Sequence, residues 1–207
     1  MPKFIEKEIE CAVCHKKVKV NVLVSCYGGQ SALDGNQNNK IQYKAIQVCP
    51  KCGHVALDIT KPVQKVSSKN FYSEHQELNN ILKGADTYAL NQNDILASYM
   101  YRLASWRSLE LNKKEMWKEC MLESINYLER YLITLPVLSE EQLPYFIILI
   151  DCYRQVASFD QAIELSQECL ENLQFFHDQQ LIEYIRKVIQ FELTLIRHQD
   201  TNEHRSY

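Results

Sequence analysis

The sequence predicts an α+β protein that is mostly α: a small amino-terminal β ribbon followed by antiparallel helical hairpins. Three observations carry this expectation. Two Cys-x-x-Cys pairs, Cys11 with Cys14 and Cys49 with Cys52, lie in the first 60 residues. All five glycines (Gly28, Gly29, Gly35, Gly53 and Gly84) fall within the first 84 of 207 residues, and the 123 that follow hold none. Glycine marks tight turns and bulges, so its confinement separates a turn-rich part from a helical one. The charge is divided in the same way. Residues 1–70 carry 11 Lys and 5 acids, a net +6, whereas residues 71–207 carry a net −9.

The elements follow in order. "VKVNVLV" (18–24) alternates and is rich in β-branched residues, as strands prefer. "IQYKAIQV" (41–48) reads as a second strand, with the polar, Gly- and Asn-rich stretch 25–40 as the loop between them. Lys61 to Lys69, "KPVQKVSSK", reads as a linker. Helices are expected over 71–83, 92–111, 114–134, 139–157, 159–176 and 178–198. Ser139 and Gln142 have capping-box spacing, and Leu138 can staple onto Leu143. Pro144, which suits the first helical position, draws that start toward Leu143. The expected organisation is a zinc-ribbon domain over 1–60, a linker and connecting helix over 61–90, a helical domain over 91–200 and a flexible tail over 201–207.

The start, "MPKFIEKEIE", is charged throughout and is not a secretory signal. The longest apolar run, Phe146 to Ile150, is far too short to cross a bilayer. A cytoplasmic location without a membrane is the expectation, and a reducing compartment argues against disulfides.

The Cys pairs are two copies of one device. Each tight turn presents two thiolates to an ion, and two such turns complete a tetrahedral site for one structural Zn2+ per chain, held by Cys11, Cys14, Cys49 and Cys52. Gly53 stands where a left-handed backbone turns peptide N–H groups toward the sulfurs. Iron in the same thiolate cage remains open on ligand type alone. "CAVCH" also matches a c-type haem attachment, which needs export and leaves the second pair unexplained. A thioredoxin-like redox pair needs a βαβ context that is missing. His15 and His54 flank the ligands and read as neighbours of a site already closed by four sulfurs. Cys26 reads as a free thiol in the loop. Cys120, Cys152 and Cys169 fall among apolar helical neighbours as small hydrophobes.

In "PYFIILIDCYRQVASFDQAIELSQECL" (144–170) large residues face small ones on two helices. The stretch resembles a tetratricopeptide repeat, with Tyr153, Ala157, Phe159 and Ala162 at characteristic places. That family usually has Gly where Ile150 and Ala157 stand. The pair over 92–134 has the same build, and two pairs plus a last helix make a short stack. Arg107 follows Trp106, and Arg154 follows Tyr153, near the end of each first helix. In such an array that position faces the concave surface, where both arginines could receive a partner's carboxylate or phosphate. The other reading pairs each with nearby acids such as Glu110 or Asp151.

Across most of its length the chain resembles the bacterial domain-of-unknown-function family 2225. The residues that carry the resemblance are "CAVCH" (11–15), Tyr43, "CPKCGHVA" (49–56) and Ala104 to Arg107. Ala12 and His15 stand where that family has Pro and Gly. The resemblance implies an architecture and no catalytic residues.

The expected function is a zinc-binding protein that acts as a scaffold for another protein or peptide through its helical groove. The alternative is nucleic-acid binding through the basic ribbon, although residues 1–70 contain no Arg, the preferred base reader. An enzyme is not expected, because no phosphate-cradling loop, HExxH or nucleophile motif is found.

Overall fold

The computed structural model describes residues 3–25, 39–71, 74–136, 139–202 and 204. Cys26, Leu138 and most of the 25–40 loop lie outside them. The order is β1 (Lys3–Glu10), β2 (Lys17–Ser25), α1 (Asn39–Ala45), β3 (Gln47–Val48), β4 (Val55–Ala56), then six helices. These are α2 (Gln76–Leu90), α3 (Asp94–Glu110), α4 (Lys114–Thr134), α5 (Leu143–Gln155), α6 (Phe159–Asn172) and α7 (Gln179–Arg197). The protein is mostly helical with a small β part. The described residues form two compact units, whose boundary falls inside α4, between Ser124 and Ile125.

In the first unit β1 pairs antiparallel with β2. β1 is absent from the sequence-based expectation, because five of its eight residues are charged. Pairing makes it a strand: Glu8 lies opposite Lys19, Glu6 makes an ion pair with Lys19 at 2.9 Å, and Val18 and Val20 turn inward. The expected strand over 41–48 is corrected. Residues 39–45 form α1, and only Gln47–Val48 is extended, pairing with Val55–Ala56. Strand propensity yields here to packing that buries Tyr43.

The helix expected over 71–83 runs instead from Gln76 to Leu90. Gly84 is not a turn residue but lies inside it. A Cβ there would sit 2.4 Å from Met100 Cε and 3.6 Å from Val55 Cγ1, so glycine lets α2 approach α3 and β4 closely. Residues 61–69 contain no helix or strand, yet they are strapped to α2. Asn91 Oδ1 accepts from the Gln64 and Lys65 amides, Asn91 Nδ2 donates to the Lys65 carbonyl, and Thr87 Oγ1 accepts from the Ser67 amide. α3 and α4 lie against each other through small hydroxyls. Ser98 Oγ donates to the Ser124 carbonyl, and Ser124 Oγ returns a bond to the Ser98 carbonyl.

In the second unit α5, α6 and α7 surround a core that includes Leu143, Ile150, Ala162, Cys169, Ile185 and Ile189. The helix expected from 139 begins at Leu143, with Pro144 in its first turn, after a 3-10 turn over Glu140–Gln142. The capping box does not form: Ser139 makes no cap bond, and Gln142 Nε2 donates to the Leu132 carbonyl. α6 ends at Asn172 rather than 176 and passes into a 3-10 turn over Leu173–Phe175.

One device closes four helices. Gln92, Asn112, Ala157 and Gln199 follow α2, α3, α5 and α7 with φ between 51° and 63°. In each case the next amide reaches back to the carbonyl five residues before it: Asn93 to Tyr88, Lys113 to Ser108, Ser158 to Tyr153 and Asp200 to Leu195. These are Schellman closures built without glycine. A left-handed L-residue costs about 1–2 kcal/mol that glycine avoids. Ala157→Gly is therefore expected to stabilise the protein by about 1 kcal/mol, read as a rise in Tm and in the denaturant midpoint. An unchanged or lower midpoint would contradict this account of the turn.

Candidate metal centre

Each Cys pair sits on a knuckle with the same backbone. In the first, the His15 amide donates to the Cys11 carbonyl at 2.8 Å, and the Cys11 amide donates to the Lys16 carbonyl at 3.1 Å. In the second, the Gly53 amide donates to the Cys49 carbonyl at 2.9 Å, and the Cys49 amide donates to the His54 carbonyl at 2.8 Å. The residue four places after the first cysteine is left-handed in both, with φ 55° at His15 and 74° at Gly53. The two knuckles are thus superposable in hydrogen bonding although one lacks the glycine. A third bond, from the Ala12 amide to the Ile59 carbonyl at 2.9 Å, ties the first knuckle to the chain that follows the second.

The structure brings the four sulfurs together, all within 4.8 Å of one another. Cys11 Sγ lies 3.7 Å from Cys52 Sγ, and Cys14 Sγ lies 3.7 Å from Cys49 Sγ. A tetrahedron with metal–sulfur bonds of about 2.3 Å has edges of about 3.8 Å, so these separations fit one ion. They are far from the roughly 2.05 Å of a disulfide. Cys11 and Cys49 are buried, Cys14 is half-buried and Cys52 is exposed.

The thiols differ in their hold on protons. Burial works against ionisation of Cys49, but amides of Lys51 and Cys52 and the thiols of Cys52 and Cys11 outweigh it and bring Cys49 down to about 7. Burial pushes Cys52 up to about 12; the His54 amide opposes this, and the thiols of Cys49, Cys14 and Cys11 add to it. Four crowded thiols cannot all ionise unaided, and a cation removes that obstacle.

His54 is buried and His15 exposed, as befits a ribbon in which neither completes the cluster. His54 Nδ1 lies 3.8 Å from Cys11 Sγ. Burial lowers its pKa, so the neutral ring can aim Nδ1–H at the sulfur and support its negative charge. His15 Nδ1 lies 3.5 Å from a carboxylate oxygen of Glu10. Cys120, Cys152 and Cys169 are buried, and burial pushes Cys120 and Cys169 up to about 12, the state of unreactive core thiols.

The two arginines singled out by sequence are both held inside the chain. In the first unit, Arg107 Nε lies 2.8 Å from Glu77, its Nη1 donates to Glu110 at 2.8 Å, and the guanidinium lies 5.7 Å from the centroid of the Tyr43 ring. In the second, Arg154 is wholly buried. It donates to Asp151, to Glu192 at 2.8 Å, and to the carbonyls of Asp200 and Asn202, which pins the chain after α7 onto α5. Asp151 carries the ion pair that spacing suggested; Glu192, 38 positions away, could not be found from local sequence. Sequence reasoning also missed Arg102, buried on α3 with Nε and Nη1 lacking hydrogen-bond partners among the described residues.

Two expectations test these placements. A Cβ at position 53 would meet nothing within 4 Å, so Gly53→Ala should cost only its backbone strain, about 1–2 kcal/mol, with the metal content unchanged. His15→Gly should gain a comparable amount; metal loss in either variant would contradict equivalent knuckles. The second concerns Glu192. Burial raises its pKa despite the attraction of Arg154, so the folded state holds the proton more tightly than the unfolded chain. The group then favours folding in acid, and that contribution fades as pH climbs from the ordinary carboxylate range of about 4.3 through the raised value. Relative to the native chain, Glu192→Gln should gain stability as pH rises over that window, measured by urea unfolding. A pH-independent difference would count against the raised value.

Comparison of the whole chain with family models, with curated proteins and with solved structures returns no match in any of the three.

Proposed function

We propose that this chain is a zinc-binding protein whose metal centre is structural, and whose helices provide a binding surface for another protein or peptide. One observation supports it above the rest: four sulfurs from two like knuckles cluster at tetrahedral edge distances, with His54 packed behind Cys11 rather than completing the cluster. Four thiolates leave no vacancy for water or substrate, so the ion organises backbone and does no chemistry. The protein is accordingly read as a non-enzyme.

Zinc is chosen over iron because a closed, four-thiolate, tetrahedral site suits an ion without redox chemistry or geometric preference of its own. The four residues would hold Zn2+ as thiolates, and the ion would supply the charge that lets them lie together. Binding of zinc contributes about 10–16 kcal/mol to folding in small metal domains, large beside the marginal core that some 60 residues can bury. The ribbon's products are β4 and the segment behind it. Val55 and Ala56 are buried, β4 lies against α2, and the Leu57 amide donates to the Tyr88 hydroxyl at 3.0 Å. The metal therefore holds the face on which the first helical hairpin rests.

A cytoplasmic setting belongs to this reading. The seven described cysteines are free, and a reducing compartment keeps thiols available to metal. No described helix is long and apolar enough to cross a membrane. The order of knuckles and helices that resembles family 2225 supports the architecture and adds no activity.

Elemental analysis of freshly purified protein should find one zinc per chain. Cys49→Ser should lose the metal together with the order of residues 1–60, visible as collapse of their amide dispersion in NMR spectra. Zinc should also leave as pH falls, because protons compete for the thiolates. Protein without a transition metal, or a Cys49→Ser variant that keeps both, would end the reading.

A further inference from the structure

We propose that the groove between α2, α3 and α4 in the first unit binds a cationic peptide segment of a partner protein, seating one apolar side chain between basic residues. This rests on the reading of the helices as a binding surface and names the chemistry of the occupant.

The groove has a volume of about 450 Å³, within the roughly 300–1,000 Å³ of small ligand pockets. Its apolar wall comes from Leu82 of α2, Tyr101 of α3, and Met116 and Cys120 of α4. Leu122, 45% exposed, continues the apolar surface outward. Cys120 Sγ lies 3.7 Å from Met116 Sδ, and such soft, unbranched sulfur side chains adapt to an inserted group.

The rim is charged with one sign. Phe71, Glu119 and Glu123 complete the lining; the nearest ammonium shown, Lys69 5.7 Å from the Phe71 ring, is paired with Asp86. Both are exposed on α4, four residues apart, and Glu115 stands one turn earlier. Like charges at this spacing oppose the helix. The dipole rewards Glu115 in the first turn but does not reach the other two. Neither Glu119 nor Glu123 forms an ion pair among the described residues. Four acids near the ends of these helices are matched instead: Glu74 with Lys113, Glu77 and Glu110 with Arg107, and Asp86 with Lys69. The two rim carboxylates thus cost α4 stability without a return inside the chain. Their field reaches the groove floor, where burial first and then these two glutamates push the Cys120 thiol up to about 12.

A ligand that satisfies this groove brings positive charge at the rim and an aliphatic or thioether group to the floor. Nucleic acid and anionic lipid present the wrong sign. A protein segment with leucine or methionine among lysines or arginines supplies both parts, with the ion pairs setting encounter and orientation and the apolar side chain supplying burial.

The test uses the intact, metal-loaded protein and a short fluorescein-labelled peptide carrying one leucine among lysines, followed by anisotropy. Controls replace the leucine with serine or the lysines with glutamate. Binding is expected for the leucine–lysine peptide alone. The double variant E119Q/E123Q should weaken it about tenfold, as loss of two exposed ion pairs allows, and rising salt should do the same. Leu122→Lys, at an exposed position, should also weaken it, while Glu183→Gln on α7 should not. Equal binding of the serine peptide, insensitivity to E119Q/E123Q, or no binding of the leucine–lysine peptide overturns the proposal. The scaffold reading falls by a separate result: crosslinkers placed along α2 to α7 of the intact protein that capture no protein partner in cells.

Discussion

Four cysteine sulfurs lie within 4.8 Å of one another, close enough to hold one metal ion, and as thiolates they would repel unless a cation lay between them. The rest of the first unit is arranged around that cluster. The knuckles come from positions 38 residues apart in sequence, so joining them closes a long loop at an entropic cost. β1 and β2 form a charged two-stranded ribbon with little to bury, and β3 and β4 are two residues each. Such pieces are marginal in water alone. Once they are joined, Val55, Ala56 and Ile59 become a buried surface beside α2, and Gly84 lets that helix come close.

The helices are closed by a backbone device that usually uses glycine and here does not. Gln92, Asn112, Ala157, Gln199 and, in the first knuckle, His15 all occupy left-handed positions. Asn and His tolerate that region better than most residues, whereas Ala has no polar group to help it. The hydrogen bonds of each closure, together with packing of the flanking helices, hold these residues where local preference would not. The absence of glycine after position 84 therefore marks a helical region correctly, but for a subtler reason than missing turns.

Charge is handled differently in the two units. Arg154 is sealed between Asp151 and Glu192, where removal of one partner would strand a buried charge at a cost of about 3–5 kcal/mol. Its work is internal, clasping the chain that leaves α7. Arg107 is also spoken for, by Glu77 and Glu110. On α4, by contrast, Glu119 and Glu123 are exposed four residues apart and form no ion pair among the described residues.

What the sequence determined by itself was whatever depends on spacing and short-range chemistry. The two Cys-x-x-Cys pairs marked the ligand cluster, because a tight turn needs only local residues. The helical span, with α4 matching its expected limits of 114–134, followed from apolar periodicity. The pairing of Arg107 with Glu110 and of Arg154 with Asp151 was within reach for the same reason, three residues being about one helical turn. What only the tertiary structure decided were outcomes set by distant neighbours. β1 exists because β2 pairs with it, despite its charges. Residues 39–45 became a helix although 41–48 read as a strand. Gln142 left its expected cap for the Leu132 carbonyl, and Glu192 reached Arg154 from another helix. In each case the local preference is worth about 1 kcal/mol or less, and burial or a long-range hydrogen bond of equal or greater size overrides it.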